Sequence, residues 1–532
     1  MYDVILVGGG SAGCVLANRL SADGERRVLL LEAGAPDDRA EIHIPAAFSK
    51  LFQSDLDWNY HTVPQEHLGG RSLYWPRGRV LGGSSSINAM IYIRGHHADY
   101  DGWAAAGCEG WSYSDVLPYF KRSEDWAGGP SPYHGTGGEL RVEPPRSPSA
   151  FGRAFVDAAT HSGVQRNPDF NGAVQDGVGF YDLTQRGGRR ESAARAFLKP
   201  ALRRPNLTVE TGAHATRVLV ECGRAVGVAY RQGGQALEAR TDGEVVVCGG
   251  AVNSPQLLML SGIGDADHLA GHGIDVVADR PAVGQNLQDH LIVGLRYRMT
   301  SGSLLDAESP LNILSYLAFR KGMLTSNIAE VGLFTHTRGG ESAPDVQFHV
   351  APVLFEDHGL TPPTEHGFSI GPTGVRPRSR GAVTLATADA GDHPRIDPNY
   401  LADGADLDSL VEGIKLGREI AHQAALEPFR GAELSPGADL TTDAQLADYV
   451  RANCETLYHP VGTCRMGPDA DAVVDLDLRV RGVDGLRVVD ASVMPTVPNG
   501  NTNAPTIMIA ERAADLILGD AARVPAQAAE AS

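Results

Sequence analysis

The chain has 532 residues, of which 42% are hydrophobic and 21% charged, and it carries a net charge of −19. That length exceeds one simple core and points to two structural domains. The acidic balance excludes a nucleic-acid partner, which needs a basic footprint, and gives no help for docking on anionic lipid. Six scattered cysteines (Cys14, Cys108, Cys222, Cys248, Cys454, Cys464) include no Cys-x-x-Cys pair, so neither a disulfide framework nor a metal site is expected. No apolar run approaches a membrane span, and the first strand begins at residue 2 with no signal peptide before it. A cytoplasmic protein is expected, with peripheral attachment at the inner membrane left open.

The chain opens with an apolar run, Tyr2–Val7, then Gly8-Gly9-Gly10-Ser11-Ala12-Gly13, a helix-like stretch to Leu20, and a second run, Val28–Leu31, ending in Glu32. This is strand, glycine turn, helix, strand, acid. Gly8 permits the turn, Gly10 admits a pyrophosphate, and Gly13 lets helix and strand pack closely. The helix N-terminus offers unpaired N–H groups to phosphate. Glu32 stands where a ribose-binding acid is expected, about 20 residues beyond the glycines. The stretch therefore reads as a dinucleotide-binding βαβ unit.

Residues 60–100 are rich in Gly, Ser and Arg and read as a long loop leading into a buried segment. Within it, Gly78-Arg79-Val80-Leu81-Gly82-Gly83-Ser84-Ser85-Ser86-Ile87-Asn88 can turn successive backbone N–H groups onto an anion or a carbonyl-rich ring. A flexible surface loop is the alternative. His96-His97 has no third ligand at useful spacing and reads as a solvated loop pair. Residues 104–160 mix short helices with Gly/Pro turns, and alternating strands follow at 207–210, 217–220 and 226–230. Glu244–Cys248 is a continuous apolar strand running into Gly249-Gly250. After it, Ser254 can cap a helix with Pro255 at its first position and Gly262 as its stop.

Alternating runs within 296–400 predict an antiparallel sheet, and 406–424 and 443–454 read as amphipathic helices. Gly367–Gly371 has the spacing of a hydrolase elbow but lacks the helix that such an elbow needs. Leu486–Asp490 is another strand ending in an acid, and Thr506–Leu518 is a strong helix. The strand near 490 implies that the C-terminus completes the cofactor domain around an inserted second domain. The expected class is α/β (α+β overall): a Rossmann-like domain (1–155, 210–295, 458–520), a substrate domain on an antiparallel sheet (156–209, 296–457), and a disordered tail (521–532).

Together the opening fingerprint, the Gly78–Asn88 stretch and Gly250–Gly264 resemble the glucose–methanol–choline (GMC) family of FAD-dependent oxidoreductases. So do Tyr458–Gly467, Val489–Ser492 and Gly500–Thr506. The resemblance spans residues 2–519. It implies that Gly8, Gly10, Ser11, Gly13 and Glu32 hold the ADP half of FAD and that Val218 meets adenine through its backbone. Arg79, Gly83, Asn88 and Ala89 would line the path from pyrophosphate to isoalloxazine, and Asp490 and Ala491 would sit at the pyrophosphate and ribityl chain. Asn503 and Thr506 would lie near the pyrimidine edge, at a helix N-terminus that favours negative charge. Some members attach flavin through a histidine at the position held here by Ile87, which implies non-covalent FAD.

His459 and Asn501 match the family's catalytic pair, an imidazole base and an amide donor to the developing oxyanion. The wording of 71–78 and 91–96 resembles the bacterial branch of aliphatic alcohol and choline dehydrogenases. Glu330 and His349 fall at positions similar to polar substrate-site residues in choline-oxidising members, and Tyr458 could contribute a ring to a substrate cage. The implied activity is oxidation of a primary, aliphatic alcohol to an aldehyde by hydride transfer to flavin N5. Electrons would pass to a quinone-like acceptor or dioxygen rather than NAD. Choline is the alternative substrate, and a flavin-bearing lyase or photodecarboxylase is the alternative class on this fold.

Overall fold

The computed structural model describes residues 1–519, so the expected tail, 521–532, lies outside the described residues. Its first sheet has seven strands. In spatial order six of them are Leu207–Thr211, Val28–Glu32, Tyr2–Val7, Gln235–Val247, Arg224–Gln232 and His214–Glu221, and Leu486–Val488 pairs alongside Gln235–Val247. Val28–Glu32 is buried at every position, which is why it reads as an unbroken apolar run rather than an alternating one. Gln235–Val247 joins two regimes. Its first half pairs antiparallel with Arg224–Gln232, while its second half pairs parallel with Tyr2–Val7 in the register Ile5↔Val245. The C-terminal strand closes the sheet in parallel, Val246 opposite Arg487. Strands from the chain's two ends thus lie in one sheet.

The second sheet is antiparallel: Glu433–Ser435, Leu295–Arg298, Gly367–Gly374, Val346–Ala351, Val331–Thr335 and Gly177–Phe180 in order, with Leu291–Ile292 and Glu455–Thr456 at one end. Helix Gly404–Ala421 packs against it. A side chain at Gly413 would come within 2.6 Å of Pro372, so the helix can sit that close only on glycine. The expected divide at 209/210 passes through Leu207–Thr211, a strand of the first sheet.

Two local expectations differ from the structure. The helix expected to start at Ser254 runs Gly250–Leu260, with Pro255 inside it. Proline has no N–H for the carbonyl four residues back. That carbonyl, Ala251 O, instead accepts from Thr463 Oγ1 at 2.7 Å, so it is not left unpaired. His96 is no loop residue: its ring accepts from Ala98 N at 3.1 Å and caps helix His97–Ala105.

Candidate active site

One continuous cavity runs between the two sheets, from the glycine turn to the end of the second sheet. At its first end, Gly8 adopts φ +109° and Gly13 packs so tightly that a Cβ would fall 1.9 Å from Gly8 O, while a Cβ on Gly10 would meet nothing. The turn is therefore closed on the protein side and open on the cavity side, as a cradle for a phosphate requires. Glu32 braces it: one carboxylate oxygen accepts from Gly9 N and the other from Gly34 N, both at 2.7 Å. Burial nevertheless raises its carboxyl to about 7.

The serine-rich stretch is no free surface loop. Gly82 N donates to Gly9 O at 2.7 Å and Gly83 lies against Gly10, so the two glycine loops form one wall with Asn88 and Ala89 on it. Asp490 ties its own turn to helix Gly250–Leu260: its carboxylate accepts from Gly250 N, Ser254 Oγ and Ser492 N at 2.9, 2.6 and 2.8 Å. Ser11 donates to Asn503 Oδ1 at 2.7 Å, which links the glycine turn to the start of helix Asn503–Leu518. That N-terminus, with Asn503 and Thr506, opens on the cavity.

At the far end His459 and Asn501 meet, with Asn501 Nδ2 3.2 Å from His459 Nε2. The other ring nitrogen, Nδ1, lies 3.0 Å from His290 Nδ1. The direction of these bonds follows from a fixed acceptor. Phe348 O accepts from Tyr181 OH (2.8 Å), whose oxygen accepts from Gln347 Nε2 (2.8 Å), and Gln347 Nε2 also donates to Asn501 Oδ1 (3.3 Å). Asn501 must then present its NH2 to His459, so Nε2 is an acceptor and the imidazole proton sits on Nδ1, donated to His290. Burial holds His459 well below the usual histidine range, reinforced by His290, His349 and Arg77. Burial also lowers His290 and His349, each to about 3.

The backbone here is held as firmly as the ring. His459 N donates to Asp289 Oδ1 at 2.7 Å, and Asp289 Oδ2 accepts from Thr456 Oγ1 (2.5 Å) and from Tyr400 OH. Tyr458 takes φ +71°, a left-handed conformation costing about 1–3 kcal/mol for a non-glycine residue. Arg77 Nη2 on its carbonyl (2.6 Å) and His358 Nδ1 on its hydroxyl (2.7 Å) secure it.

Fifteen of the nineteen expected site residues line this cavity: His459, Asn501, Gly8, Gly10, Ser11, Glu32, Gly83, Asn88, Ala89, Asp490, Ala491, Asn503, Thr506, His349 and Tyr458. Four stand off it. Gly13 acts behind the turn. Arg79 lies over the Trp58 ring at 4.9 Å, and it is Trp58 that faces the cavity. Val218 cannot offer its N–H to a ligand, because that group donates to Ser261 Oγ at 2.8 Å; Ala213, His214 and Ala215 line the cavity instead. Glu330 is turned away, its carboxylate accepting from Ser149 N (3.0 Å) and Ser326 Oγ (2.8 Å). Sequence reasoning missed His290, Asp289, Gln347 and Arg77. The signal for the first two was a polar triplet, Gln288-Asp289-His290, set between Leu287 and Leu291, where an all-polar turn would have lacked apolar neighbours.

A glycine cradle, a bracing acid and a buried imidazole–amide pair at opposite ends of one cavity define a dinucleotide-dependent oxidoreductase. The GMC oxidoreductase family models match residues 2–292 and 377–510, and the chain belongs to that family of FAD enzymes. It is 48% identical to an alcohol dehydrogenase (acceptor) of Pseudomonas putida, over 97% of this chain and 96% of that one. It is 45% identical to an oxygen-dependent choline dehydrogenase of Brucella ovis, over 97% and 95%. Among solved structures, pyridoxine 4-oxidase from Mesorbium loti superposes with a TM-score of 0.89 at 35% identity, covering 97% of this chain and 98% of that one.

Proposed function

We propose that the chain oxidises a primary aliphatic alcohol to an aldehyde, with His459 as base and Asn501 as donor to the alcohol oxygen. The observation that carries this reading is the polarity of the chain of bonds from Phe348 O to His459, which leaves one acceptor and one donor side by side at the cavity surface. A hydroxyl set between them donates to Nε2 and accepts from Asn501 Nδ2. When the proton moves to Nε2, His459 Nδ1–H still donates to His290, whose neutral ring stabilises the new imidazolium. Asn501 faces the charge developing on oxygen, where one such donor contributes about 2.7–4 kcal/mol. Bound FAD supplies the two-electron acceptor for the hydrogen leaving carbon.

The residues fit FAD. Gly10 leaves the phosphate side of the turn open, Glu32 is already fixed by backbone N–H groups, and the Asn503 helix start supplies a positive dipole end. Ile87 offers no nucleophile, so flavin is released on acid precipitation.

The substrate class rests on the walls. Phe48, Ile292, Ile328, Ala329 and Ala351 line the cavity, and Glu330 is spent elsewhere. A second reading, choline, draws on the rings of Phe48, Phe52, Phe355 and Tyr458, whose neighbours stand 5.8–6.3 Å apart, with Glu455 on the same cavity. The likeness to both named dehydrogenases supports an alcohol CH–OH donor in either case, and the base–amide pair favours hydride chemistry over lyase or decarboxylase chemistry. Anaerobic bleaching of the flavin in the dark, with octanol and choline in parallel, tests the reading. Bleaching by octanol is expected; bleaching by choline alone selects the second reading, and bleaching by neither overturns both. Readmitted air then distinguishes dioxygen from a quinone-like acceptor.

A further inference from the structure

One helix of this fold turns its apolar side chains outward. Over Pro310–Phe319, Leu311, Leu314, Leu317 and Phe319 are 80, 62, 64 and 69% exposed and Ile313 is 40% exposed. Five of the eleven large exposed hydrophobic residues among those described fall within these ten positions. Only Tyr316 faces inward, its hydroxyl donating to His43 O at 3.4 Å. A soluble surface rarely gathers such side chains without a use for them.

The charge around this patch is as unusual. From Glu308 to Glu330 the sequence holds no acidic residue, yet Arg320 and Lys321 follow the helix directly, in a chain of net charge −19. Arg320 ends the helix in a left-handed conformation with its guanidinium over the Tyr316 ring at 4.6 Å, and Lys321 is exposed. Leucine and phenylalanine beside a cationic end, with the acids Asp306 and Glu308 confined to the segment before the helix and Glu308 paired with Lys50, are the composition of a helix that lies in a lipid interface. At ten residues the helix is about 15 Å long, too short to cross a bilayer, so it lies in the plane of the surface. A second copy of this chain is the poorer occupant, because its identical helix presents the same two cations, Arg320 and Lys321, and no acid within the helix to meet them.

The helix is also seated beside the flavin cavity. Gly322 N donates to Ser147 Oγ at 3.0 Å, and the following turn, Met323–Thr325, packs on Pro45–Leu51. Phe48 from that second segment and Ile328, just past the turn, are cavity walls. We propose that Pro310–Phe319 beds in the surface of an anionic lipid bilayer, with Arg320 and Lys321 on the headgroups. The overall acidity, which argues against lipid when averaged over the chain, then orients the molecule, because the rest of its surface is repelled. A consequence, which unlike the docking rests on the proposed alcohol activity, is that a long-chain alcohol and a lipid-soluble acceptor approach the cavity from the lipid side.

The test is sedimentation of the full-length, FAD-loaded protein with vesicles of phosphatidylglycerol and phosphatidylethanolamine in equal parts, and with vesicles of phosphatidylcholine alone. Binding to the first is expected. L311S/L314S/L317S should lower the partition on the order of tenfold or more, and R320Q or K321Q roughly fivefold each. Because these side chains are exposed, the variants keep the fold, and octanol turnover with a water-soluble dye acceptor, read in the same samples, should be unchanged. A wild-type protein that stays in the supernatant with anionic vesicles overturns the proposal. So does a triple variant that binds them as well as the wild type. If the triple substitution instead converts a dimer to a monomer in sedimentation velocity without changing vesicle binding, the face belongs to a second copy and the lipid assignment is wrong.

Discussion

The substitution Asn501→Asp tests the polarity argument most directly, because it changes charge and donor capacity with almost no change in shape. Gln347 Nε2 would still donate to one carboxylate oxygen, but the other would face His459 Nε2 across the distance, 3.2 Å, now held by an N–H donor. Two effects follow. Loss of the donor costs about 2.7–4 kcal/mol at the developing oxyanion, or about 10²–10³ in turnover. The adjacent anion also raises the imidazole, because an opposite charge favours its protonated form. In the parent, burial holds His459 well below the usual histidine range, so the proposed base should stay neutral and kcat/KM is expected to be flat from neutral pH upward, falling only in acid. In the variant the acid limb moves up, and each unit by which it passes the assay pH removes about a further factor of ten. The assay is kcat/KM for octanol from acid to alkaline pH with a dye acceptor, normalised to bound flavin. A variant within threefold of the parent at every pH, with its acid limb unmoved, would refute both the tautomer and the role of the amide.

Two further outcomes follow from buried groups. Asp289→Ala orphans the His459 N–H and the hydroxyls of Thr456 and Tyr400, at about 1–3 kcal/mol each. Thermal unfolding of the holoprotein should show a loss of about 3 kcal/mol or more, whereas Asp289→Asn, which keeps the acceptor for His459 N–H, should lose less than half of that; equal losses would contradict the bonding described. Glu32→Gln leaves one carbonyl oxygen for two N–H donors, Gly9 and Gly34, so about 1–3 kcal/mol is lost at the phosphate turn. Fluorescence titration of the apoprotein should show FAD affinity down by fivefold or more, and unchanged affinity would remove Glu32 from the cofactor site.

The cofactor end of the cavity was legible in the sequence because it is local. Gly8, Gly10, Gly13 and Glu32 lie within one βαβ unit, and glycine positions fixed by turn geometry leave a direct trace in the chain. The proposed catalytic end was half legible. His459 and Asn501 are only 42 residues apart and matched the family pattern, but the groups that would set their chemistry come from elsewhere: His290 and Asp289 from the end of the second sheet, Gln347 from one of its strands and Tyr181 from just past another. Long-range antiparallel pairing, such as His349 opposite Gly371, decides which polar side chains face the cavity, and no spacing rule reports it. Val218 and Glu330 stand off the cavity for a related reason. Each is of the right type near the right place, but a serine from another segment, Ser261 for the Val218 N–H and Ser149 for one Glu330 oxygen, takes up a group that a ligand would need. A buried polar residue is available for chemistry only where its partners leave an atom free. His459 Nε2 meets that condition because Asn501 alone faces it, and a substrate hydroxyl can enter that pair without breaking any bond that holds the fold.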